Sequence, residues 1–189
     1  MTLNFRPNLM IIATLAVLMC VTRLGHFGEY AGVPDASWAV FFLGGLWLRD
    51  PRVFAAFFAL GWLVDVVAVS LGTPADCFSL SYVALIPAYG ALWLAGTVGA
   101  TRLGASYLDT ALRTAVLLIS GCSTTFVLAN LGMFWFAPST TDITLLDFAY
   151  KVGGYFPGYL LTCGIYVVGG LVARNLLDML NTRLSTQIR

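Results

Sequence analysis

Charge is scarce in this chain. Charged residues fill only 10% of 189 positions, where a soluble domain carries roughly a quarter. So little polar surface excludes a water-soluble globule. Lysine occurs once, at Lys151, and no G-x-x-x-x-G-K-[ST] loop is present, which excludes autonomous ATP hydrolysis. The formal net charge is only +1, which gives no basis for binding nucleic acid. Histidine also occurs once, at His26, and the four cysteines (Cys20, Cys77, Cys122, Cys163) form no C-x-x-C pair. A zinc cage of Cys and His ligands is therefore poorly supported.

Apolar residues are abundant: 59% of positions, with a mean hydropathy of +0.87. A spanning helix needs about 20 apolar residues. The pattern predicts an all-α, polytopic membrane protein, a single domain over 1–189 with six transmembrane helices. The expected spans are Leu9–Leu24, Ala36–Leu48, Val53–Leu71, Ser81–Ala100, Ala111–Phe136 and Phe156–Leu177. The second is short, so it must thin the bilayer or shelter behind neighbours. The first follows Arg6, as a secretory signal would, but no small-x-small cleavage site follows it, so it is expected to be retained.

Six crossings would sort the basic residues unevenly. One face would receive Arg6, Arg49, Arg52, Arg102, Arg174, Arg183 and Arg189, with Arg113 at its edge, and the other only Arg23 and Lys151. The positive-inside bias then predicts cytoplasmic termini and a periplasmic face for the segments around His26–Asp35, Gly72–Leu80 and Ala137–Tyr155. These are the longer connections, and long loops tend to carry function. A ligand is expected on that face.

Two positions carry chemistry. Asp65 lies well inside the third expected span, where a carboxylate costs about 3 kcal/mol and needs a reason to persist. It is either a tether between helices or a group that contacts or supports a ligand. His26, Arg23, Lys151 and the outer tyrosines are the candidate partners. Cys77 is the one cysteine outside a long apolar run. Cys20, Cys122 and Cys163 read as small inert hydrophobes. For Cys77 three readings stand: an inert loop residue, a disulfide partner of Cys20, or a reactive thiol. Aromatic residues gather at the outer rim, including Phe27, Tyr30, Phe78, Tyr82, Tyr155 and Tyr159. Most fit an interfacial belt, and Tyr82, five residues after Cys77, is the best candidate to line a pocket.

Six short spans with an outer ligand face resemble the S-components of energy-coupling factor transporters. Asp65, Cys77 and Tyr82, within Asp76-Cys77-Phe78-Ser79-Leu80-Ser81-Tyr82, resemble more narrowly the BtuM family, solitary S-component homologues that take up cobalamin in some Gram-negative bacteria. The resemblance implies uptake of a corrinoid across the inner membrane without a dedicated ATPase module. Docking to such a module usually needs A-x-x-x-A on the first helix, whereas here Ala13 and Ala16 are three apart. It also implies that cobalamin is bound as substrate and that Cys77 acts catalytically, ligating cobalt and promoting decyanation of cyanocobalamin. Asp65, Tyr82, His26, Asp76 and Phe78 would contact the corrinoid. Two other readings remain: a membrane thiol oxidoreductase pairing Cys77 with Cys20 or Cys163, and an S-component-like subunit for another vitamin.

Overall fold

The computed structural model describes residues 5–26, 34–71, 81–101, 106–137, 140 and 142–187. They form seven helices: α1 (Phe5–His26), α2 (Ser37–Trp47), α3 (Pro51–Ser70), α4 (Ser81–Thr101), α5 (Tyr107–Phe136), α6 (Leu145–Gly153) and α7 (Phe156–Gln187). Local chemistry starts several of them. Asp50 caps α3 by accepting from the Arg52 N–H at 2.8 Å, and Pro51 occupies the first turn, where its missing N–H costs nothing. Ser106 caps α5 and Thr144 caps α6 in the same way.

The all-α class holds, but six crossings do not. Four helices are long and apolar enough to cross a bilayer: α3, α4, α5 and the Phe156–Leu180 part of α7. The apolar stretch of α1 is confined to Asn8–Arg23, and α2 has only 11 residues. At helical rise α2 is about 16 Å long, half the hydrocarbon thickness.

The apolarity of α2 has another cause. It packs against α1, α3, α4, α5 and α7. Val40, Phe41, Phe42 and Leu43 are essentially fully buried. A helix that is apolar all round is enclosed, and here the enclosure is protein rather than lipid. Lipid-facing character lies instead on the longer helices, in exposed residues such as Leu63, Val83, Val116, Val127, Leu161 and Ile165. The expected outer loop Ala137–Tyr155 is also corrected, because it contains α6.

Close approach of α2 to α4 depends on missing side chains. A Cβ on Gly45 would collide with the Trp93 carbonyl, and one on Gly96 with the Phe42 carbonyl. Backbone cannot step aside as a side-chain tip can, so the helices would have to separate. Gly96→Ala is expected to destabilise the protein by about 3 kcal/mol, read as a lower unfolding midpoint in detergent. An unchanged midpoint would mean that the α2–α4 packing is looser than described.

Candidate ligand-binding site

A polar network is buried where α1, α2, α3 and α4 meet. Arg23, near the end of α1, grips Asp65 of α3 with two parallel bonds: Nε to Oδ1 at 2.6 Å and Nη2 to Oδ2 at 2.6 Å. Both side chains are about 7% exposed. Nη1 turns the other way, donating to Ser37 Oγ at 2.8 Å and Tyr89 Oη at 3.3 Å, and lying 3.5 Å from Asp35 Oδ2. Asp35 in turn accepts from the Ser37 N–H at 2.9 Å and the Ser37 hydroxyl at 2.7 Å. A planar guanidinium suits this, since its fork fixes direction as well as charge. Asp65 therefore persists in a span because Arg23 neutralises it and its oxygens are served.

One further bond reaches outward. Tyr82 of α4 donates its hydroxyl to Asp65 Oδ2 at 2.9 Å. Tyr82 and Tyr89 also border a cavity of about 510 Å³. One face of α4 supplies Ser81, Tyr82, Leu85 and Tyr89, and one face of α5 supplies Phe126, Ala129, Asn130 and Met133. These spacings are the three- and four-residue steps that align side chains on a helix. Trp38 of α2, Phe148 and Val152 of α6, Tyr155 and Tyr159 complete the lining. Trp38 stacks on Tyr159 with centroids 5.0 Å apart, and Phe134 holds Phe148 of α6 at 5.4 Å.

No charged side chain lines the cavity among the described residues; the charges stand one bond behind the tyrosines. Such a site suits a ligand with a large, flat, mostly apolar body and a few neutral polar groups. Its volume is within the range of small-molecule pockets.

The site residues expected from sequence are placed as follows. Asp65 and Tyr82 are joined directly, and Tyr82 borders the cavity while Asp65 supports it from behind. His26 is the last residue of α1. Asp76, Cys77 and Phe78 lie outside the described residues. Cys77 precedes Ser81, a cavity residue, by four positions, which span at most about 14 Å of extended chain. Cys122 of α5 and Cys163 of α7 are enclosed in the core. Among the described residues no group of three or more His, Cys, Asp or Glu side chains could hold a metal ion.

Sequence reasoning missed Trp38, Tyr89, Phe126 and Asn130. Tyr89 stands seven positions after Tyr82, a spacing that places both on one helix face and was available to find it. Asn130 is an amide inside an apolar span, and that incongruity was also visible.

The fold and the cavity define a polytopic, all-α membrane protein with a ligand-sized site, consistent with a role in transport. Comparison with known proteins finds no matching family model and no matching curated protein.

Proposed function

We propose that the protein takes up cobalamin across the bacterial inner membrane, receiving part of the corrinoid in the Tyr82 cavity. The observation that carries this reading is Tyr82 itself. Chosen from sequence beside Cys77 and Asp65, it borders the cavity and bonds Asp65. The resemblance to the BtuM family now rests on these three residues and not on a count of six crossings.

In this reading the Cys77 thiolate donates a lone pair to cobalt, a soft donor completing a coordination sphere whose equatorial positions the corrin fills. Electron donation weakens the cobalt–carbon bond to a cyanide on the opposite face. That bond breaks with its electron pair on cyanide, which takes a proton from water. Cobalt keeps its oxidation state, so no reductant is needed. The corrin's apolar body faces the aromatic lining, and its periphery faces the tyrosines.

The charges at the helix ends support a sidedness. Arg49 and Arg52 flank the start of α3, Arg113 lies near the start of α5, and Arg174 sits over the Trp47 ring at 5.2 Å. These mark one end of the bundle. Ser81, at the opposite end of α4, belongs to the cavity. Arg23 is buried in an ion pair, so it does not count as a surface charge. The positive-inside bias supports a periplasmic cavity.

The test is a visible absorption spectrum of the detergent-purified protein with cyanocobalamin. The wild type is expected to shift the corrinoid spectrum and release cyanide, and Cys77→Ala to do neither. A wild type that holds no corrinoid, or identical spectra for both proteins, overturns the proposal. Of the two alternative thiol partners for Cys77, Cys163 is enclosed in the core, which disfavours exchange through it, and Cys20 is half-buried.

A further inference from the structure

Asn130 occupies a span of apolar residues and borders the cavity. Its Nδ2 donates to the Phe126 carbonyl one turn earlier at 2.8 Å. That carbonyl can only accept, so it fixes which end of the amide faces it. One N–H and the carbonyl oxygen of the side chain remain, and neither is engaged among the described residues. No buried side-chain polar atom among the described residues lacks a partner, and Asn130 is half-buried, so these two atoms are accessible from the cavity. Elsewhere in the lining, Tyr82 donates its hydroxyl to Asp65 and the Tyr89 oxygen accepts from Arg23. The amide of Asn130 therefore offers a donor and an acceptor side by side on the α5 side of the cavity.

The natural complement of such a pair is another primary amide, which offers acceptor and donor in the reverse order. A corrinoid carries neutral primary amides around its rim. We propose that Asn130 is a specificity-determining residue that recognises one peripheral amide of the corrinoid and rejects the corresponding carboxylate. This rests on the corrinoid reading above. A carboxylate lacks the N–H that the Asn130 carbonyl needs and brings a charge into a lining whose described residues have none to offset it. Sites built to hydrogen-bond one group discriminate strongly against analogues that leave buried polar atoms unpaired.

The test uses full-length protein in detergent with two kinds of probe: cyanocobalamin, and a set of its monocarboxylates, each with one rim amide hydrolysed. Asn130→Ser is the main variant. A serine can keep the bond to the carbonyl four residues back, as Ser120 does to Val116 at 2.7 Å in this same helix. It removes only the amide that faces the cavity. Asn130→Leu removes both. Wild type is expected to bind one monocarboxylate at least about tenfold more weakly than cyanocobalamin, and both variants to lose that preference along with about tenfold of cyanocobalamin affinity. A purely structural role would lower affinity for all probes and leave the preference intact, which overturns the inference. Variants that match wild type in affinity and preference overturn it too, while leaving corrinoid binding standing. A wild type that binds no probe removes the corrinoid reading and this inference together.

Discussion

Asp65→Leu is expected to destabilise the protein by about 3–5 kcal/mol, because it strands the Arg23 guanidinium in the core. Asp35, at 3.5 Å and half-buried, offsets that charge only in part. Arg23→Met is expected to cost at least as much, since it leaves Asp65 and Asp35 facing each other without a cation. The informative protein is the double variant. Two charges leave together, the bidentate bonds at 2.6 Å are lost from both sides, and packed apolar groups replace them. Such replacements are often neutral or stabilising, so the double variant is expected to recover most of the loss. Chemical or thermal unfolding of the four proteins closes the cycle. Simple addition of the two single losses would show that the pair is not coupled, against the geometry. The same four proteins separate the two readings of Asp65. If it is only a tether, ligand binding returns with stability. If it positions Tyr82 through the 2.9 Å bond, binding stays weak in a double variant that folds well.

Which parts were legible in the sequence follows from where each signal comes from. Asp65 stood out because a carboxylate in an apolar run needs compensation, and Arg23 was among the few partners available. Tyr82 stood out by its place beside Cys77. The second span misled, because a residue enclosed by five helices and one enclosed by lipid read alike in composition. Only length separates them, and 11 residues fall in the range of a buried core helix. Removing these two consecutive crossings leaves an even number, so the alternation of the remaining helix ends is unchanged. Helix α6 was taken into a loop because its nine residues are short and carry Asp147 and Lys151. Yet Leu145, Phe148 and Val152 keep helical spacing, and the latter two reach the cavity. Apart from Asn130, the cavity wall on α5 was not legible as a site. Phe126, Ala129 and Met133 look like any lipid-facing or core residues until α4 is placed opposite them, and nothing local in the chain says which helix that is.

Ala129→Trp is expected to abolish ligand binding, by at least about a hundredfold, while leaving the protein folded. Ala129 is half-buried and borders the 510 Å³ cavity between Phe126 and Met133. An indole there is expected to enter the cavity and pack against the aromatic rings that line it. Gly96→Ala behaves oppositely. One methyl group between α2 and α4 meets a backbone carbonyl and forces the helices apart, whereas a far larger group at Ala129 has the cavity beside it to enter. Available space, not the size of the change, decides the sign. The variant also divides the two halves of the proposed site. Cobalt–sulfur bonding could in principle draw a corrinoid to Cys77 with no help from the cavity. In that case Ala129→Trp would keep the spectral shift that Cys77→Ala loses, and the cavity would have to be assigned another role. Loss of the shift in both variants requires sulfur and cavity to act on one bound molecule. Retained thermal stability in Ala129→Trp, measured alongside, shows that the loss comes from occupancy and not from unfolding.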